Sequence, residues 1–170
     1  MSRYRHDPLK SLVGFNVGDV AYAVEIAQVK EIINPLSVVP LPRAPESIGG
    51  VADYRGEVVP VIDLRVRFGL GSSTTSRKTK WIVVDIGGRL AALVVDAVTE
   101  VFGTGGQELR PAPALGGGEH VRGIRGVTTH GRKMIFVLDM FPFAAMTESL
   151  VDSGALGDAP PLPFERPGGA

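Results

Sequence analysis

The chain has 170 residues, no cysteine, and 18 basic against 18 acidic residues, so its formal net charge is zero. The absence of cysteine excludes disulfides, thiolate catalysis and cysteine-ligated zinc or iron–sulfur sites. Without a basic surplus the chain also lacks the attraction that sequence-independent binding to nucleic acid or to an anionic membrane requires, so neither is an expected partner.

The chain shows no targeting or membrane-spanning segment. The first ten residues contain no apolar region of the kind found in signal peptides, and we expect residues 1–10 to form a flexible tail. No apolar stretch approaches the roughly 20 residues that a membrane span needs. A soluble, cytoplasmic protein without direct membrane insertion is therefore expected.

Short apolar runs that are rich in valine and bounded by glycine or proline dominate the sequence, a pattern typical of an all-β sandwich or barrel. Pairs of these runs, separated by turn residues such as Gly18-Asp19 and Gly87-Gly88, predict hairpins. The predicted strands are Leu12–Val17, Val20–Val24, Ile48–Tyr54, Val58–Leu64, Trp81–Ile86, Leu90–Val95, Val121–Thr128 and Met134–Leu138.

Three segments change from the alternation of a strand to helical spacing. The segment from Ile26 to Ile33 predicts a short helix that ends before Pro35. The segment from Val95 to Phe102 shows a similar helix-like stripe of apolar residues. The third segment predicts a C-terminal helix over about 140–150, with Asp139 and Pro142 at its N-terminus. The apolar positions of the first two are Ile26, Val29, Ile32 and Ile33, and then Val95, Val98, Val101 and Phe102.

Two further segments are polar or rich in glycine and proline. Gly69–Lys78 predicts a mobile loop, because small hydroxylated side chains bury too little apolar surface to become ordered. Residues 152–170 predict a disordered tail. Between the two tails, residues 11–151 are expected to form the folded domain.

The order of predicted elements occurs twice, which indicates an internal duplication. An offset of 69 residues carries Gly18 to Gly87 and Glu31 to Glu100, and Gly50 matches Gly123. We therefore predict two small barrels, at about 12–68 and 80–140. Each would be marginally stable alone, so they would share a hydrophobic core and leave a groove at their junction, a favoured place for binding.

The polar residues do not assemble into a catalytic or metal-binding pattern. No phosphate-binding glycine motif and no nucleophile-elbow motif is present. His6, His120 and His130 are scattered and are expected to face solvent. Asp63 and Asp139 each end a strand, where a carboxylate ordinarily accepts hydrogen bonds from turn or helix N–H groups. A protein that binds others, rather than an enzyme, is the remaining interpretation, with no cofactor and no metal expected.

One polar pair stands out for a binding protein. Glu31 interrupts an apolar stripe, and Arg55 lies at the tip of a hairpin. If the two elements pack side by side, the carboxylate and the guanidinium would meet, and a bidentate pair would fix the geometry of an otherwise apolar surface. Two unrelated exposed charges are the alternative.

Three stretches of this sequence resemble the CheW family of chemotaxis coupling proteins. They are VAYAVEIAQVKEII (20–33), LPRAPESIGGVADYRGEVVPVIDLRVRFGL (41–70), and AALVVDAVTEVF (91–102) followed by LRPAP. The resemblance implies two five-stranded SH3-like barrels around a shared core, and no enzymatic activity. It further implies an adaptor, recruited to membrane-bound receptor arrays. This adaptor would couple the cytoplasmic helical tips of chemoreceptors (methyl-accepting chemotaxis proteins) to the regulatory domain of a CheA-type histidine kinase.

The resemblance also implies which residues bind partners. Glu31 and Arg55 match an acid and an arginine that shape the receptor-binding face of the family, and Gly50 and Gly56 match glycines that turns require. Tyr54 and Glu57 depart from the family pattern. The residues implied for the receptor- and kinase-binding surface are Val29, Glu31, Ile32, Arg55, Val58 and Val59.

Three other interpretations remain at this point. A CheW-like protein could bind receptors without recruiting kinase, in a non-flagellar chemosensory pathway. An enzyme would need an acid–base arrangement around Asp63, Asp139 or His130 that the sequence does not reveal. A fragment of a larger kinase would share the fold, but no ATP-site motif is present.

Overall fold

The computed structural model describes residues 11–71, 75–104, 109–111 and 123–152. His6, His120 and the two predicted tails, except for Asp152, lie outside the described residues. Ten strands and two helices make up the described part: β1 (Ser11–Val17), β2 (Val20–Glu25), β3 (Val29–Ile33), β4 (Ile48–Tyr54), β5 (Glu57–Asp63), α1 (Leu64–Arg67), β6 (Lys80–Ile86), β7 (Arg89–Val95), β8 (Ala97–Gly103), β9 (Ile124–His130), β10 (Lys133–Leu138) and α2 (Phe141–Asp152).

The strands form two five-stranded sheets, and each sheet takes strands from both halves of the chain. Sheet I has the order β8-β1-β2-β10-β9, and sheet II has the order β3-β6-β7-β5-β4. Two parallel pairings, β2 with β10 and β5 with β7, join the halves. The predicted all-β class with short helices is confirmed. The predicted division into barrels at about 12–68 and 80–140 is wrong, because the hairpins β1–β2 and β6–β7 are exchanged between the two halves.

The hydrophobic core has three parts. The largest lies between the sheets and includes Phe15 and Val24 from sheet I and Ile82 and Leu93 from sheet II, all fully buried. Each sheet also curls around a smaller core of its own, with Trp81 in sheet II and Phe102 in sheet I. Burial on both faces explains why these strands read as continuous apolar runs rather than as strict alternation.

The first two predicted helices are strands, apart from a single 3₁₀ turn at Ile26–Gln28. The pairing of β3 with β6 is irregular between Val29 and Glu31, so the side chains before and after this bulge face different sides of the sheet. Val29 packs on the shared core, whereas Ile33 packs on the core of sheet II. A bulge in a strand thus mimicked the spacing of a helix, and β8 shows the same irregularity against β1. The C-terminal helix α2 is confirmed.

The internal duplication is visible in the strand order, because β1–β5 and β6–β10 occupy equivalent places in the exchanged sheets. The backbone bridge of Val39 with Val51 has its counterpart in the bridge of Arg110 with Val127. This correspondence carries residue 51 to residue 127, so Gly50 matches Gly126. The predicted match of Gly50 with Gly123 is therefore wrong.

Gly50 is required by a close approach of two backbones rather than by a turn. A Cβ atom at Gly50 would lie 2.1 Å from the carbonyl oxygen of Val39, and a Cβ atom at Gly126 would lie 2.8 Å from that of Arg110. Because neither glycine has a Cβ atom, the segment at Val39 can pair with the edge strand β4, and the segment at Arg110 can pair with the edge strand β9. Gly56, in contrast, lies in the β4–β5 turn at a φ of 84° with open space around it, as expected for a turn glycine.

Dividing the chain after Gly71 tests the exchange of hairpins. We expect neither fragment to fold alone as a monomer, because each lacks the strands that complete its two sheets. The two fragments mixed in equal amounts should restore the β spectrum in circular dichroism and elute together in gel filtration. A single fragment that unfolds cooperatively as a monomer would contradict the observed strand order.

Replacing Gly50 with alanine tests the close approach. We expect Gly50→Ala to lower the free energy of unfolding by roughly 3 kcal/mol or more, because the backbone at Val39 must move away from the added Cβ atom. Gly56→Ala is the control and should cost only about 1–2 kcal/mol, the backbone penalty of a positive φ. Urea denaturation measures both, and equal losses would show that the contact with Val39 does not matter.

Candidate functional site

The two edges of sheet II meet at Glu31. The order of the sheet places β3 and β4 at opposite edges, yet the Glu31 carboxylate on β3 accepts a hydrogen bond from the Tyr54 hydroxyl at the end of β4. It also accepts one from Nη2 of Arg55, at 2.8 Å. We call Glu31, Tyr54 and Arg55 the sheet II clasp. Because it joins the first and last strands, this clasp closes one end of the curled sheet. The predicted meeting of Glu31 and Arg55 is confirmed.

The clasp shifts the acidity of two of its members. The pKa of Glu31 lies below its ordinary value of 4.5, mainly because the Tyr54 hydroxyl donates to the carboxylate and secondarily because the Arg55 charge is near. The pKa of Tyr54 lies above 10.0, because its hydroxyl proton is held by that carboxylate. At neutral pH the clasp therefore contains a carboxylate, a neutral phenol and a guanidinium.

Arg55 is presented to solvent by an unusual backbone. Its φ is 50°, a left-handed value that arginine seldom adopts, and the turn is fixed by the Asp53 carboxylate, which accepts from the Gly56 N–H at 2.7 Å. The Arg55 guanidinium lies 5.6 Å from the ring centre of Tyr54, and its side chain remains 72% exposed. An exposed ion pair of this kind adds little to stability, so its value lies in holding a positive charge in one position.

Two exposed apolar side chains accompany the clasp. Ile32 is 39% exposed and Val58 is 45% exposed. Each alternates along its strand with a residue of the sheet II core, Ile33 or Val59, and so projects from the opposite face, the one that packs against sheet I. Beside the hairpin tip lies an open groove of about 410 Å³, lined by Leu36, Ser37, Asp53, Arg55 and Gly56.

The structure does not place all the expected binding residues on the surface. Val59 is 1% exposed and belongs to the core of sheet II, so it cannot contact a partner in the folded protein. Val29 is only partly buried, but it packs against the shared core. Tyr54, expected only as a departure from the family pattern, contributes through its hydroxyl one of the two hydrogen bonds to Glu31.

The remaining polar candidates have structural partners. Asp63 accepts from the N–H groups of Arg65 and Val66, and Asp139 from that of Phe141, as expected for acids that follow strands. In the described part of the chain, no group of three or more histidine, aspartate and glutamate side chains is arranged to hold a metal ion. Among the same residues, no helix is long and apolar enough to cross a membrane.

Comparison with known proteins identifies similar chains. The sequence pattern of the family described as "CheW-like domain" matches residues 11–147. The chain is 32% identical over 142 residues to a chemotaxis protein CheW of Klebsiella aerogenes, covering 83% of this chain and 86% of that protein. It is 33% identical over 120 residues to Protein FrzA of Myxococcus xanthus, covering 69% of this chain and 74% of that protein.

A solved structure supports the same relationship. The crystal structure of the scaffolding protein TtCheW from Thermoanaerobacter tengcongensis superimposes with a TM-score of 0.70 and 33% sequence identity. The superposition covers 76% of this chain and 88% of that one. The similarity therefore extends over most of the described fold.

Removing the Tyr54 hydroxyl tests the clasp directly. In Tyr54→Phe, we expect the pKa of Glu31 to rise towards its ordinary value, because the hydrogen bond that lowers this pKa most is lost. The side-chain carboxyl resonance of Glu31, followed by NMR against pH, measures the change. An unchanged pKa would show that the hydroxyl does not bond the carboxylate in solution.

The same variant should change the dependence of stability on pH. Because the folded-state pKa of Glu31 is lowered, its contribution to stability is present above its ordinary pKa and is lost as the pH falls through the lowered value. Tyr54→Phe should therefore lose less stability than the wild type on acidification below about pH 5. Identical acid unfolding curves would contradict this linkage.

Proposed function

The chain belongs to the CheW-like domain family, and on that premise we propose that it couples chemoreceptors to a CheA-type histidine kinase. Members of the family are scaffold and adaptor proteins of chemotaxis signalling without enzymatic activity, and this chain is one of them. The proposal concerns the partners and the residues that contact them. Through these partners the protein would be recruited to membrane-bound receptor arrays.

We assign receptor binding to the surface around the sheet II clasp. The observation that carries the assignment is the exposed guanidinium of Arg55, held by Glu31, together with the exposed side chains of Ile32 and Val58 on β3 and β5. A helical receptor tip offers an apolar stripe flanked by charges, and exposed aliphatic side chains together with a fixed guanidinium suit it. The apolar side chains would supply affinity, and Arg55 would set the register.

Kinase binding is assigned to the equivalent surface of sheet I. The duplication carries Ile32 to Val101 and Val58 to Met134, and these side chains are 55% and 54% exposed. The residue before Val58 is Glu57, whereas the residue before Met134 is Lys133, so the two equivalent positions carry opposite charges. The protein therefore has two similar apolar surfaces that differ in charge, as an adaptor with two different protein partners requires.

Reversing the charge of Arg55 tests receptor binding. Arg55→Glu places two carboxylates in the clasp and removes the positive charge from the surface, so we expect its affinity for a receptor cytoplasmic tip to fall about tenfold or more. Its melting temperature should change by only a few degrees, since the ion pair is exposed. Titration of labelled protein with a purified receptor-tip helical bundle measures the affinity.

The matched control is Arg77→Glu, which makes the same charge change at an exposed position in the segment before β6. Similar weakening by both variants would show that overall charge, not the clasp, controls binding. A parallel titration with the kinase regulatory domain separates the two family-level functions. Receptor binding without kinase binding would identify an adaptor that does not recruit kinase.

A further inference from the structure

A second polar contact joins the two edges of sheet I. Strands β8 and β9 lie at opposite edges of that sheet, but Nε2 of His130 at the end of β9 lies 3.0 Å from Oε1 of Glu100 on β8. The His130 ring also stacks on Phe102 of β8, with ring centres 4.3 Å apart and an angle of 18° between the planes. His130, expected to face solvent, is thus only 37% exposed and contacts two side chains of the opposite edge.

These contacts fall on the positions of the sheet II clasp. The duplication carries Glu31 to Glu100, Ile33 to Phe102 and, by the register that matches Val51 with Val127, Tyr54 to His130. In each sheet, an acid on one edge strand (β3 or β8) therefore contacts an aromatic ring at the end of the other edge strand (β4 or β9). The same contact of an acid with a ring therefore occurs at equivalent positions of both sheets.

The two arrangements differ in their third member. Arg55 has no counterpart, because Gly131 occupies the equivalent place in the β9–β10 turn and the arginine of that turn is Arg132. Glu100 is also more exposed than Glu31, at 60% against 33%. The charged groups around His130 come from three elements: Glu100 on β8, Lys133 opposite it on β10, and Arg132 in the turn.

We propose that Glu100 and His130 form a sheet I clasp that holds the edge strand β8 against the end of β9. The pair does for sheet I what Glu31 and Tyr54 do for sheet II. Val101 follows Glu100 on β8, so the clasp also fixes the place of this exposed apolar side chain. The clasp is a property of the fold and does not depend on which partner binds there.

Hydrogen exchange of the backbone amides, followed by mass spectrometry on the full chain, tests the proposal. In His130→Ala and in Glu100→Ala, we expect exchange in β8 and β9 to become about two- to tenfold faster, the range expected for one lost hydrogen bond. Exchange in β3 and β4 should stay unchanged. The double variant should be no faster than the faster single variant, because both changes remove the same contact.

Two variants separate the clasp from a general loss of packing. His130→Tyr installs the residue found at the equivalent position of sheet II, and it should keep exchange near the wild-type rate. Lys133→Ala, the control, removes the exposed cross-strand neighbour of His130 and should also leave exchange unchanged. Since Glu100 is exposed, Glu100→Ala should fold even if His130→Ala does not.

Three results would overturn the proposal. These are unchanged exchange of β8 and β9 in Glu100→Ala, acceleration spread equally over both sheets, and a His130→Tyr variant that exchanges as fast as His130→Ala. Acceleration confined to β8 and β9, with rescue by tyrosine, would establish the clasp.

Discussion

A sheet of five strands has two edges, and the fold depends on how those edges are brought together. In sheet II the carboxylate of Glu31 receives hydrogen bonds from Tyr54 and Arg55, on the far edge of the same sheet. The bonds add little free energy, because the groups are partly exposed, but they decide where the ends of β3 and β4 lie. The position of Arg55, and with it the proposed receptor surface, follows from that closure.

The exchange of hairpins explains why the two five-stranded sheets form one stable unit. Each sheet is completed by strands from the other half of the chain, and the largest apolar core lies between the sheets. A lobe of about 60 residues buries little surface alone, so sharing both strands and core offsets the loss of conformational entropy. Separating the two sheets would therefore disrupt both the shared core and the chain connections between the exchanged hairpins.

The sequence predicted the elements that depend on local patterns. Turn glycines and valine-rich runs located most of the strands, Asp63 and Asp139 were correctly interpreted as acids that bond nearby N–H groups, and the pairing of Glu31 with Arg55 was foreseen. It failed where long-range pairing decides. The bulge after Val29 gave a strand the spacing of a helix. Nothing local reveals that β1 pairs with residues 81 to 92 positions later, or that β2 pairs with residues 114 positions later.

The candidate site was predicted only in part, because it also depends on contacts between distant parts of the chain. Ile32 and Val58 were expected at the surface and lie there, but Val59 alternates into the core. Tyr54 was interpreted only as a departure from the family pattern and His130 as a solvent-facing side chain, because their contacts form only when the two edges of each sheet meet. The internal duplication could have indicated both, because the register that carries Gly50 to Gly126 also carries Tyr54 to His130.

Methyl NMR of the full chain, during titration with a receptor-tip helical bundle, tests the proposed receptor surface most directly. We expect the methyl signals of Ile32 and Val58 to shift first and furthest, while those of the buried Val59 and Ile82 change little. Shifts confined to sheet I, or spread evenly over buried and exposed methyl groups, would contradict the claim that the clasped end of sheet II is the receptor surface.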